Sequence, residues 1–127
     1  MAGLLEPYRG RYVSAESAST KLDVNAIISG CSQVDSEASS IGDVSTSLNS
    51  AASDLTPNIF SINGASLGAN VGEYCQSIMD VQSSIMSATA QIRSEAIAAY
   101  NEIQSQLNQE AQSRDQYEMN RRNRRYS

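Results

Sequence analysis

Apolar and small residues recur at every seventh position through the first half of the chain. Ile27, Val34, Ile41, Leu48 and Leu55 form one row, and Val24, Cys31, Ala38, Ser45 and Ala52 form a second row three residues earlier. A seven-residue repeat keeps one stripe of a helix facing a neighbouring helix. The pattern predicts a helix over about 14–55, ended by Thr56-Pro57, because proline lacks an amide donor and disfavours helical geometry at the residue before it. A second periodic segment opens at Asn70-Val71-Gly72-Glu73, which has the form of a capping box. Its row runs through Val71, Tyr74, Ile78, Val81, Ile85, Ala88 and Ile92, and continues through Ala96, Tyr100, Ile103, Leu107 and Ala111. This predicts a second helix over about 70–120. The repeat drifts from sevens toward fours, which rotates the stripe around the helix.

The predicted fold is all-α: an elongated, coiled-coil-like antiparallel hairpin. Its seam is made by Ile27, Val34, Ile41, Leu48 and Leu55 against Ile78, Ile85 and Ile92. Residues 1–13, broken by Pro7 and Gly10, read as a flexible arm, and 121–127 as a basic disordered tail. The loop 56–69 carries Ile59, Phe60, Ile62 and Leu67 around Asn63-Gly64, a dipeptide that favours tight turns. Glu110, Arg114, Glu118 and Arg122 follow at four-residue intervals and form an ion-pair ladder on an exposed helix end, each pair contributing about 0.2–0.5 kcal/mol. That end projects past the first helix unless the arm folds back along it. Gly30 and Gly42 lie off both main rows, as surface glycines or as points of close backbone approach. The rotated stripe at Tyr100, Ile103 and Leu107, with Phe60 and Ile62 in the loop, is the expected partner-binding surface.

Composition narrows the chemistry. The chain has no His and no Trp and a single Phe, so histidine general bases and histidine metal ligands are excluded. Paired carboxylates on one face, a Cys-X-X-Cys pair, a phosphate-cradling glycine loop and a nucleophile with its base are all missing from the sequence. The expectation is a protein that is not an enzyme and takes no cofactor or metal. Cys31 and Cys75 sit at different distances from the predicted turn. At about 1.5 Å per residue their offset is roughly 30 Å, whereas a disulfide needs Cα atoms within about 7 Å. Both are expected to be reduced, an intermolecular bridge being the alternative. Net charge is −5, with all 14 acids before residue 121 and Arg121, Arg122, Arg124 and Arg125 crowding the end. An acidic body repels phosphate backbones, so no nucleic acid is expected as a partner. No segment reaches the roughly 20 apolar residues of a membrane span. Met1 to Leu5 is interrupted by Glu6, Pro7 and Arg9, so the protein is expected to be made in the cytoplasm and, if secreted, to leave without a cleaved signal peptide.

Two long helices, the Ile62-Asn63-Gly64 connection and the apolar Phe60-Ser-Ile-Asn-Gly segment before a long second helix resemble the small helical-hairpin proteins of bacterial type VII secretion. The superfamily's Trp-X-Gly turn is matched here in its glycine but not its tryptophan. The segment is similar to that of the small partners encoded beside LXG toxins. The resemblance implies an adaptor that binds the helical N-terminal domain of a larger LXG-type effector, alone or with a second small helical protein, for delivery to the secretion machine. It also implies an aromatic-XXX-acid secretion signal. Tyr12 and Glu16 fit that spacing, whereas Tyr100 and Tyr117 are followed at four residues by Gln104 and Arg121. Ser-, Asn-, Gln- and Ala-rich composition also fits a self-assembling subunit of an exported filament, with a homodimer and a phage or cytoplasmic coiled-coil scaffold as further alternatives.

Overall fold

The computed structural model describes residues 3–55 and 62–126, with side chains described over 3–51 and 69–125. The chain is all-helical. A 3-10 turn at Ala18–Thr20 is followed by α1, Val24–Leu55, and α2, Ile62–Tyr126. Among the described residues there is no strand, only an isolated bridge between Arg9 and Ser14.

The helix boundaries depart from the sequence reading at three places. α1 begins at Val24 rather than near residue 14. Ser17 caps the 3-10 turn by accepting the Ser19 N–H, and the Asp23 carboxylate accepts the Ala26 N–H at the start of α1. α2 begins at Ile62 rather than near 70, so the Ile62-Asn63-Gly64 segment is helical. Asn63 and Gly64 fall in the first turn, where amides have no intrahelical acceptor and weak helix formers cost least. Asn70 and Glu73 therefore lie inside α2, exposed. At the other end, the four terminal arginines belong to the last turns of α2 rather than to a disordered tail. Cations there oppose the negative end of the helix dipole. Thr56-Pro57 and Phe60 lie outside the described residues, as do the side chains of Leu55 and Ile62.

Contacts divide the chain into two units, Met1–Ile28 with Arg93–Ser127, and Ser29–Ile92. In the first, Ala18, Val24, Ala96 and Tyr100 form a buried cluster. Leu4, Leu22, Ile27, Ile28, Ile97, Ile103 and Leu107 pack around it. The arm thus folds back along α2 and supplies part of the core.

In the second unit α1 and α2 run antiparallel, as the pairings Asp35 with Thr89, Gly42 with Gln82 and Ser45 with Cys75 require. The buried seam is the row of small residues. Cys31, Ala38 and Ser45 are buried on α1, and Cys75 and Thr89 on α2. The Ser45 hydroxyl donates to the Cys75 carbonyl at 3.1 Å, and the Cys75 thiol donates back to the Ser45 carbonyl at 3.4 Å. Both cysteines are free thiols. The Thr89 hydroxyl bonds the Asp35 carboxylate. The bulky row expected to make the seam lies at its edge: Val34, Leu48 and Ile92 are exposed, and Ile41, Ile78 and Ile85 are half-buried. Small seam residues let the two backbones approach, and that approach leaves the longer side chains at the margin.

Candidate functional site

Two constructions stand out, a polar clasp in the first unit and an apolar face in the second. The clasp is built from Asn101, Gln104, Asn108 and Asp115, which lie on one side of α2 at helical spacing. Asn101 accepts from the Leu5 N–H at 2.8 Å and donates to the Gly3 carbonyl at 2.7 Å. Asn108 accepts from the Tyr8 N–H at 2.7 Å and donates to the Glu6 carbonyl at 3.0 Å. Gln104 accepts from the Ala18 N–H at 2.7 Å and donates to the Glu16 carbonyl at 3.0 Å. Each amide side chain therefore takes one carbonyl and the N–H two residues on, the pair that a neighbouring β-strand would take from extended backbone. The arm runs along α2 as a strand whose partner is a row of side chains.

Asp115 holds the reversal of the arm. Its carboxylate accepts from the Tyr12 N–H at 2.7 Å, the Val13 N–H at 3.0 Å, the Tyr8 hydroxyl at 3.0 Å and the Arg11 N–H at 3.4 Å. The Tyr12 amide bond is the leading cause that lowers its pKa below the ordinary 3.8; burial opposes this, and the Val13, Tyr8 and Arg11 bonds reinforce it. The same carboxylate raises the Tyr8 phenol above its ordinary 10.0, chiefly through the hydrogen bond that the phenol donates. The backbone comes so close that a Cβ on Gly10 would sit 2.6 Å from the Asp115 carboxylate and against the Val13 carbonyl. Above the turn, the Arg122 guanidinium stacks on the Tyr12 ring at 4.3 Å, with Arg11 at 5.4 Å.

The apolar face lies on the second unit's helix pair. At about 100° per residue, Val34, Ile41 and Leu48 sit roughly 60° to one side of the α1 seam, and Val44 about 100° to the same side. On α2, Ile78 and Ile85, then Tyr74 and Val81, hold the same offsets from Cys75 and Gln82. In an antiparallel pair equal offsets fall on one face. This face is open: Val44 is 62% exposed, Tyr74 63% and Val81 53%. The opposite margin is tight, since a Cβ on Gly42 would meet the Gln82 side chain at 2.6 Å. Charge is lopsided as well. Between Ser29 and Ile92 the chain holds Asp35, Glu37, Asp43, Asp54, Glu73 and Asp80 and no Lys or Arg, so the second unit carries acids alone among its charged residues.

No family model, curated protein or solved structure matches the chain.

The structure distributes the expected site residues unevenly. Tyr100 is buried, and Ile103 and Leu107 are half-buried in the core that the arm completes, so the stripe expected to meet a partner is covered by the chain's own first residues. Tyr12 lies at the reversal of the clasp, and Glu16 is exposed with its carbonyl held by Gln104. Of the ladder, Arg114 bonds Glu110, and Arg122 approaches Glu118 at 3.8 Å. Gly30 faces open space whereas Gly42 is packed against Gln82. The clasp residues went unread because Asn and Gln on a long polar helix look like ordinary solvated surface. Their signal is the spacing of Asn101, Gln104, Asn108 and Asp115 beside the apolar row of Tyr100, Ile103, Leu107 and Ala111. No helix among the described residues is long and apolar enough to cross a membrane.

Proposed function

We propose that the protein is a non-enzymatic helical adaptor that pairs with a larger helical protein through the second unit's apolar face. The observation that carries this reading is the exposure of Val44, Tyr74 and Val81 beside half-buried Ile41, Ile78 and Ile85. A patch of that kind on a helix pair suits a helical partner that buries it along its length. The arm supports the same reading indirectly. By covering Tyr100, Ile103 and Leu107 it removes one apolar stripe from competition and leaves the second unit's face exposed. The resemblance in sequence to small type VII secretion proteins makes the helical N-terminal domain of an LXG-type effector the specific partner proposed, with export of the complex as the purpose.

Co-expression with the products of the genes neighbouring its own tests the proposal. A stoichiometric complex that is lost on Val81→Asp with Ile85→Asp, while the variant keeps its helical circular dichroism, is the expected result. Indefinite self-association of the purified chain with no heterologous complex argues instead for a filament subunit.

A further inference from the structure

The adaptor reading leaves open what chemistry the partner presents, and the charge of the second unit addresses it. Resting on that reading, we infer that the partner segment seated on the apolar face is a cationic amphipathic helix, an apolar stripe flanked by Lys or Arg, and not a second copy of this chain.

The apolar part of the argument is the face itself, with Val44 and Val81 more than half exposed on opposite helices of the pair. The electrostatic part is that this unit holds six acids and no base. Glu37 lies on the same row as Val44, seven residues before it, and is exposed at the edge of the face. Glu73 and Asp80 are exposed on the outer side of α2. These groups lie within a Debye length or two of any docked helix, so their field acts on it even where they do not touch it. A second copy docking by this face would set the six acids of each second unit together, twelve in all, with no base in either unit. The chain's own cationic cluster, Arg121, Arg122, Arg124 and Arg125, lies on a polar helix end without an apolar stripe, so it offers the charge without the hydrophobic surface. A helix carrying both satisfies the face completely, and like-charged rivals are rejected by repulsion.

The test uses the full chain and designed 25-residue helical peptides with one Leu/Ile stripe, flanked by Lys in one version and by Glu in another. Fluorescence anisotropy should show the Lys-flanked peptide binding at least about tenfold more tightly than the Glu-flanked one, the preference shrinking in high salt. Val81→Ser with Ile85→Ser, which changes no charge, should abolish binding. Glu37→Gln with Asp80→Asn should reduce the preference for Lys and leave the Glu-flanked peptide unaffected or better bound. Equal binding of the two peptides, abolished by the serine variant, would overturn the charge inference and leave the docking face standing. Binding that survives the serine variant, or a Lys peptide with its stripe replaced by Ser binding as well as the intact one, would show charge attraction alone and overturn both. A homodimer of the free chain that the serine variant dissociates would overturn the exclusion of a second copy.

Discussion

At the scale of single residues the chain relies on a few polar side chains with many bonds each. Gln104 is completely buried and satisfies the Ala18 N–H and the Glu16 carbonyl while also donating to Asn108. Gln104→Ala strips partners from one buried and one part-buried backbone group, and urea denaturation should show a loss of roughly 1–3 kcal/mol. Asp115 acts differently because it must be ionised to accept all its bonds. A carboxylate whose folded pKa lies below its unfolded value stabilises the folded state fully above the unfolded value, and that contribution disappears as pH falls through the folded one. Docking of the arm should therefore be steady through neutral pH and weaken progressively below about pH 4, near the ordinary Asp value of 3.8. The raised Tyr8 phenol adds the opposite limit: its contribution is complete below pH 10.0 and is lost as the phenol ionises above that. Hydrogen exchange of the Tyr12 and Val13 amides reads the acid limb, and Asp115→Asn should remove the pH dependence together with most of their protection. A variant that keeps the protection would show that Asp115 does not hold the arm.

At the scale of the elements, the heptad rows were legible in the sequence but their division of labour was not. Both helices form and the pairing is antiparallel in the second unit, yet the row of small residues is buried and the row of large ones is at the edge. Sequence periodicity identifies a stripe, while the choice between adjacent rows depends on how closely two backbones approach, which side-chain volume and the Ser45–Cys75 exchange decide. The arm was legible only as a break in the pattern, because the groups that dock it are its own backbone amides and carbonyls, which no side-chain pattern reveals. The asymmetry of the glycines was equally hidden. Gly30→Ala adds a methyl into open space and should raise stability by up to about 1 kcal/mol, whereas Ala38→Leu overfills the buried seam and should cost about 1–3 kcal/mol. Thermal or urea unfolding of the two variants checks both signs, and equal effects would contradict the assignment of the seam.

At the scale of the whole molecule, one apolar surface is covered from within the chain and another is not. Covering Tyr100, Ile103 and Leu107 with the arm means that Asp at Ile103 and Leu107 would damage the first unit's own core, so those substitutions cannot separate binding from folding. Val81 and Ile85 can, because the first is exposed and the second half-buried on the open face. The central claim is that this face seats a helical partner. Its most direct test is light scattering coupled to size-exclusion chromatography on the chain co-expressed with the products of its neighbouring genes, in the native form and as Val81→Asp with Ile85→Asp. The account predicts a complex of fixed stoichiometry for the native chain and an unbound, equally helical chain for the variant. A complex that forms equally well with the variant would contradict it.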